Sequence, residues 1–306
     1  MEDLKTDRRL SAKRIILTSF LTDVVNVFVS LVVAILSGSV IMLTQFLQNF
    51  SDLISSGLLL IGIMRSMRNE DKTHPFGYGR EIYFWTFLAA LIMFGITSTF
   101  SFYLGFRRFL QPTGITNISL VFLVLFITLV TNSYSFLLSY KRLVNKRSFF
   151  NILKIFYKSS LVETKTTFTL DLMGVLTSIM GFLAILVYVS TGNMRLDGIG
   201  AMGIGIVMAI ISVFLIFGIK DMLVGKAASY EVEDKIRKTA LSVDKVDAIT
   251  DLKTLHIGSE KLLVSLDVEI AKGLKIKDLE KIIGTIELEI RKVVPSAKYV
   301  LVELGT

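Results

Sequence analysis

The nine residues Thr44–Asp52 (TQFLQNFSD) decide how this chain is read. From Val24 to Met64 the only charged residue is Asp52. A second run, Thr166 to Met194, repeats the situation with Asp171 as its only charge. A carboxylate near the middle of a bilayer costs about 2.5–3.5 kcal/mol even on the mildest scales, so it marks a functional site unless packing explains it. Four residues before each aspartate, on the same helix face, stands a neutral oxygen side chain: Gln48 before Asp52 and Thr167 before Asp171. Two such pairs facing each other make a cage of oxygen ligands suited to a cation.

The surrounding composition sets the class. The chain has 306 residues, 52% of them hydrophobic, with a mean hydropathy of +0.64. Apolar runs of about 20 residues mark transmembrane helices. There is no cysteine, which excludes disulfides and thiolate metal sites, and the two histidines, His74 and His256, exclude a His-rich zinc cluster. Six spans are predicted: Ile15–Leu36, Val40–Met64, Ile82–Phe106, Ile115–Leu138, Leu161–Val189 and Gly198–Ile219. The hydrophilic start MEDLKTDRRLSAKR reads directly into the first span, and no cleavable signal is expected there.

Charge placement gives orientation. Lys5, Arg8, Arg9, Lys13 and Arg14 precede span one; Arg65, Arg68, Lys72 and Arg80 follow span two; Lys141, Arg142, Lys146, Arg147, Lys154 and Lys158 follow span four. The opposite side carries only Arg107, Arg108 and Arg195. The positive-inside rule puts both termini and both basic loops in the cytoplasm, and explains the net charge of +8 better than nucleic-acid binding does. The expected location is the cell (plasma) membrane, with the loop lysines facing lipid headgroups.

Past Gly225 the pattern changes. Glu231–Ser242 reads as an amphipathic helix, Ala248–His256 and Lys261–Ile270 as half-buried strands around a turn at Ile257–Glu260, Lys277–Val293 as a second helix and Tyr299–Glu303 as a closing strand. This αββαβ order predicts one small α+β domain. The expected organisation is a tail (1–14), a six-helix membrane domain (15–222) and a cytoplasmic domain (227–306).

Six spans, the paired polar positions in spans two and five, the loop Thr73–Arg80 (THPFGYGR) and the αββαβ domain together resemble the cation diffusion facilitator (cation efflux) family. Ser37–Gly38–Ser39 before span two also fits. The resemblance implies a homodimeric divalent-metal/proton antiporter working by alternating access, with a ferredoxin-like cytoplasmic domain that helps it dimerise. Members generally carry His or Asp, three residues, then Asp in both spans. Here Asp52 and Asp171 are kept, whereas Gln48 and Thr167 replace the first ligands. Asp23 stands where the family often has Asn, with Asn26 close by. Many zinc-transporting members place an Asp and two His in the loop after span two; this chain has Asp71 and His74, with Tyr78 at the second His position.

Each candidate has a plainer reading. Asp52 and Asp171 would serve packing if hydrogen-bonded inside the bundle, and a buried Gln48 or Thr167 joins helices more often than it binds metal. Gln45 and Asn49 stand near enough to replace either neutral ligand. Asp23 is a second cation site, a proton carrier or a helix-pairing group. His74 with Asp71 is an entrance site or simply a turn before Pro75. His256 reads as a strand residue, and Glu163 as a solvated helix end. Two carboxylates and two neutral oxygens suit a hard ion, so the residues lean to Mn²⁺ or Fe²⁺, with Zn²⁺ the alternative. Two carboxylates in a low-dielectric site repel, so metal and protons would compete for the same oxygens, the physical basis of antiport. No nucleophile, base or cofactor motif supports an enzyme, and one polar layer does not make a channel. A non-transporting member, acting as dimeric partner or metal sensor, is the competing reading, and transport of another cation on the same scaffold is a third.

Overall fold

The structure, a computed structural model, describes residues 20, 23–144, 162–271 and 274–305. The tail 1–14 and the loop cations Lys146, Arg147, Lys154 and Lys158 lie outside the described residues. The chain packs as two units. One comprises residues up to Met64 with Phe84–Ile219, and the other Arg65–Tyr83 with Lys220–Thr306.

The first unit is helical: α1 (Asp23–Ser37), α2 (Val40–Ser66), α3 (Glu81–Leu110), α4 (Ile118–Val144), α5 (Val162–Thr191) and α6 (Arg195–Val224). Among the described residues, α2 to α6 are long and apolar enough to cross a membrane. The predicted first span, Ile15–Leu36, lies partly outside them, and its described part, α1, is shorter. Sequence signals mark where α1 ends. Gly38 takes φ +64° and its N–H bonds Ala34 O at 3.0 Å, a left-handed stop that glycine adopts without cost. Thr116 and Asn117 side chains then bond Leu36 O at 2.9 and 3.0 Å.

Helix α6 begins earlier than its uncharged stretch predicts, because Asp197 is fully buried yet fully engaged. Its carboxylate accepts Ser39 Oγ at 2.7 Å and the backbone N–H groups of Val40 and Ile41 at 2.8 and 3.0 Å, capping the start of α2. Arg108 Nε completes the set at 2.9 Å. One α6 carboxylate thus joins α2, α3 and α6. Helices α3 and α6 also approach closely through glycine: a Cβ on Gly105 would lie 2.7 Å from Gly198 O, and one on Gly205 2.7 Å from Phe102 N. Between Met93 and Ser98, α3 widens into a π-helical segment.

The second unit carries α7 (Tyr230–Leu241), β1 (Val246–Gly258), β2 (Lys261–Ile270), α8 (Ile276–Val293) and β3 (Ala297–Gly305). The αββαβ order is as the sequence pattern indicates. The sheet order is β1-β2-β3, with β2 antiparallel to β1 and parallel to β3. Alternate residues of β2 (Leu262, Val264, Leu266, Val268) are buried in one core with Ile236 of α7 and Ile282, Ile286 and Ile290 of α8.

The segment Arg65–Tyr83 belongs to the same compact unit as this sheet domain. Glu70 Oε1 accepts Tyr299 Oη at 2.7 Å and also bonds the Lys298 ammonium. Phe76 meets the Tyr299 ring edge-on at 5.3 Å. Gly79 lies so close to the end of β1 that a Cβ there would clash with Ile257 O.

Candidate cation site in the helix bundle

Asp52 and Asp171 line a single polar cavity inside the first unit. From α2 come Asp52, Ser56 and Leu59, and from α5 Thr167, Leu170, Asp171 and Gly174. Asp23 and Asn26 of α1, and Thr131, Asn132 and Ser135 of α4, complete the wall. The i, i+4 spacing does bring Thr167 and Asp171 to the same face. Thr167 donates its hydroxyl proton to Glu163 O at 2.9 Å, which leaves its oxygen lone pairs for the cavity. Asp52 Oδ1 is buried and has no hydrogen-bond partner, a costly state for a carboxylate oxygen that bound cation would relieve. Asp23 accepts Ser56 Oγ at 3.0 Å, tying α1 to α2 at the cavity edge.

The remaining predicted residues are placed elsewhere. Gln48 is fully buried and not part of the cavity wall; neither amide atom makes a well-formed hydrogen bond, but the amide lies within reach of the Asp52 carboxylate. Gln45 points to α5, its Nε2 bonding Thr177 O at 3.4 Å, with Oε1 unpartnered. Asn49 donates to Asn26 O at 3.2 Å and Ser30 Oγ at 3.1 Å, joining α2 to α1. Among the described residues, no three His, Cys, Asp or Glu side chains converge closely enough to hold one ion, so acidic groups alone do not complete a shell here.

Asp71 and His74 belong to the second unit. Asp71 Oδ1 accepts the N–H groups of Thr73 and His74 at 2.9 and 2.8 Å and Thr73 Oγ1 at 2.6 Å, while Oδ2 accepts Tyr78 Oη at 2.7 Å. The Thr73 and Tyr78 hydroxyls and the His74 amide hold its carboxyl below the usual carboxylate range. This is the turn-forming arrangement, with Tyr78 filling the place the family resemblance gives to histidine.

Sequence reasoning missed Asn132 and Ser135, because neutral polar residues in a span carry no charge signal. It also missed Asp197, which the flanking Arg195 made look like part of a loop.

The comparisons with known proteins agree with this architecture. The family model described as the cation efflux transmembrane domain matches residues 16–224, and that described as the cation efflux protein cytoplasmic domain matches residues 228–304. The chain is 23% identical over 84% of its length to the mitochondrial proton-coupled zinc antiporter SLC30A9 of Mus musculus and of Homo sapiens, covering 46% and 45% of those proteins. It is 21% identical over 72% of its length to metal tolerance protein C4 of Arabidopsis thaliana, covering 49% of it. The chain thus spans about half the length of the curated relatives it matches. With both of its regions matched, the chain belongs to the cation diffusion facilitator, or cation efflux, family.

Proposed function

We propose that this membrane protein moves a divalent metal ion across the bilayer in exchange for protons, by alternating access. The observation that carries this reading is a polar cavity that gathers Asp23, Asp52, Thr167 and Asp171 within a chain of this family. Asp52, Thr167 and Asp171 bind the ion in this conformation. Gln48, buried beside Asp52, takes its place in the shell when the helices rearrange. Asp52 and Asp171 share a site in which protons and metal compete for the same oxygens. The architecture we infer has six spans and cytoplasmic termini, a membrane domain over 15–222, and a ferredoxin-like domain over 227–306 that pairs two copies of the chain.

The cavity wall offers oxygen donors and no imidazole or thiolate, which favours Mn²⁺ or Fe²⁺. Zinc is the alternative, since the names of the SLC30A9 relatives specify zinc. Those names also specify mitochondria, so the plasma-membrane expectation draws no support from them and is dropped from the proposal. The second reading, a non-transporting partner or sensor, is favoured by one observation: Gln48 stands off the cavity.

The deciding experiment is flux in proteoliposomes of Mn²⁺, Fe²⁺ and Zn²⁺ with and without a pH gradient, beside Asp52→Asn and Asp171→Asn. Gradient-driven flux lost in both variants is expected. Absence of flux of every ion from well-folded protein would replace the transporter with the non-transporting reading.

A further inference from the structure

Resting on the cation site proposed above, we infer that Asn132 of α4 supplies a fixed carbonyl-oxygen ligand to the transported ion and favours hard ions over zinc. Asn132 faces the same cavity as Asp52, Thr167 and Asp171. Its Nδ2 donates to Gly174 O at 3.1 Å and Ser178 Oγ at 2.9 Å, both on α5. Those two bonds use both amide protons and so decide which end of the amide is nitrogen. The other end, Oδ1, accepts no hydrogen bond from any described residue.

The side chain is also clamped. Gly174 has no Cβ, and one built there would meet Asn132 Cγ at 3.1 Å and Nδ2 at 3.2 Å, so the amide lies flat against the α5 backbone one turn from Asp171. A carbonyl oxygen held this way at the wall of a polar cavity is what a hard cation replaces its hydration shell with. The need for it is visible in the acidic groups, since among the described residues no three of them converge on one point. A neutral oxygen from a third helix raises the ligand number without adding charge. Mn²⁺ uses such extra oxygens, whereas zinc's four-coordinate preference does not require them.

The test is isothermal titration of the purified full-length protein with MnCl₂ and with ZnCl₂, comparing wild type, Asn132→Leu, Asn132→Asp and Asp171→Asn. Asn132→Leu is expected to weaken Mn²⁺ binding about tenfold or more and Zn²⁺ binding less, while Asn132→Asp, which keeps an oxygen there but gives up both anchoring N–H donors, weakens Mn²⁺ binding less than Asn132→Leu does. Unchanged Mn²⁺ affinity in Asn132→Leu overturns the inference. So does parallel weakening of both ions in both Asn132 variants, the mark of lost packing. Where Asn132→Leu does not fold, Ser178→Ala carries the test: it frees one anchor, and Mn²⁺ affinity at the wild-type value overturns the inference. Asp171→Asn separates the two levels. If it abolishes binding while Asn132→Leu does not alter it, Asn132 alone is wrong. If wild type binds neither ion, or Asp171→Asn binds like wild type, the cation site itself is wrong.

Discussion

At residue 174 the side chain is dictated by a neighbour forty-two positions away. A Cβ there presses on Asn132, so Gly174→Ala overfills a packed contact and is expected to lower stability by about 1–3 kcal/mol, seen as a reduced melting temperature in detergent. Gln48 presents the opposite case. Its amide is buried without a well-formed hydrogen bond, so Gln48→Leu removes a desolvation penalty of about 1–3 kcal/mol and should raise the melting temperature. Under the ligand role proposed for it, the same variant loses flux. Gain of stability with loss of transport is the combination expected of a functional group held at a structural cost. A variant more stable and fully active would remove Gln48 from the ligand set.

At the scale of the element, α2 is held by both ends of its chemistry: Asp52 within the cavity, and Asp197 at its N-terminus. Asp197 and the Arg108 side chain, 0% and 9% exposed, form a buried ion pair that also satisfies two orphan N–H groups of α2. Breaking one half of such a pair leaves an uncompensated charge, at about 3–5 kcal/mol. Asp197→Ala is therefore expected to cost stability on that scale, and Arg108→Met/Asp197→Leu together much less than the two singles summed. A double-mutant cycle on unfolding in detergent checks this, and simple additivity would show that the pair does not couple α3 to α6. The glycine contacts between α3 and α6 belong to the same scale: their backbones touch because no side chain intervenes.

Across the molecule, the segment Arg65–Tyr83 takes its packing from the sheet domain. The Lys298 ammonium and then the Tyr299 hydroxyl hold Glu70 down at about 2, against an ordinary value of 4.5. A depressed carboxylate contributes stability that is present above its unfolded value and is lost as pH falls through its folded one. Docking of the segment should accordingly hold above about pH 4.5 and weaken between pH 4.5 and about 2. Hydrogen exchange of residues 68–80 against pH reads this, and Glu70→Gln should remove the dependence in that window. If its profile matches wild type, the docking does not rest on Glu70. A chain ending at Val224 is expected to lose the proposed pairing of two copies, which light scattering in detergent would show as a halved protein mass.

The sequence by itself determined the helices, the αββαβ order and the carboxylates that mark the cavity, because each is a local or periodic signal: apolar runs, alternation, and charge where charge is expensive. It did not reveal that Asn132 joins the cavity wall, nor that Asp197 caps a helix more than 150 residues earlier. It also did not show that Arg65–Tyr83 packs as part of the sheet domain. These depend on which helix faces meet and which backbones approach, contacts between positions far apart in the chain that no spacing within one segment encodes.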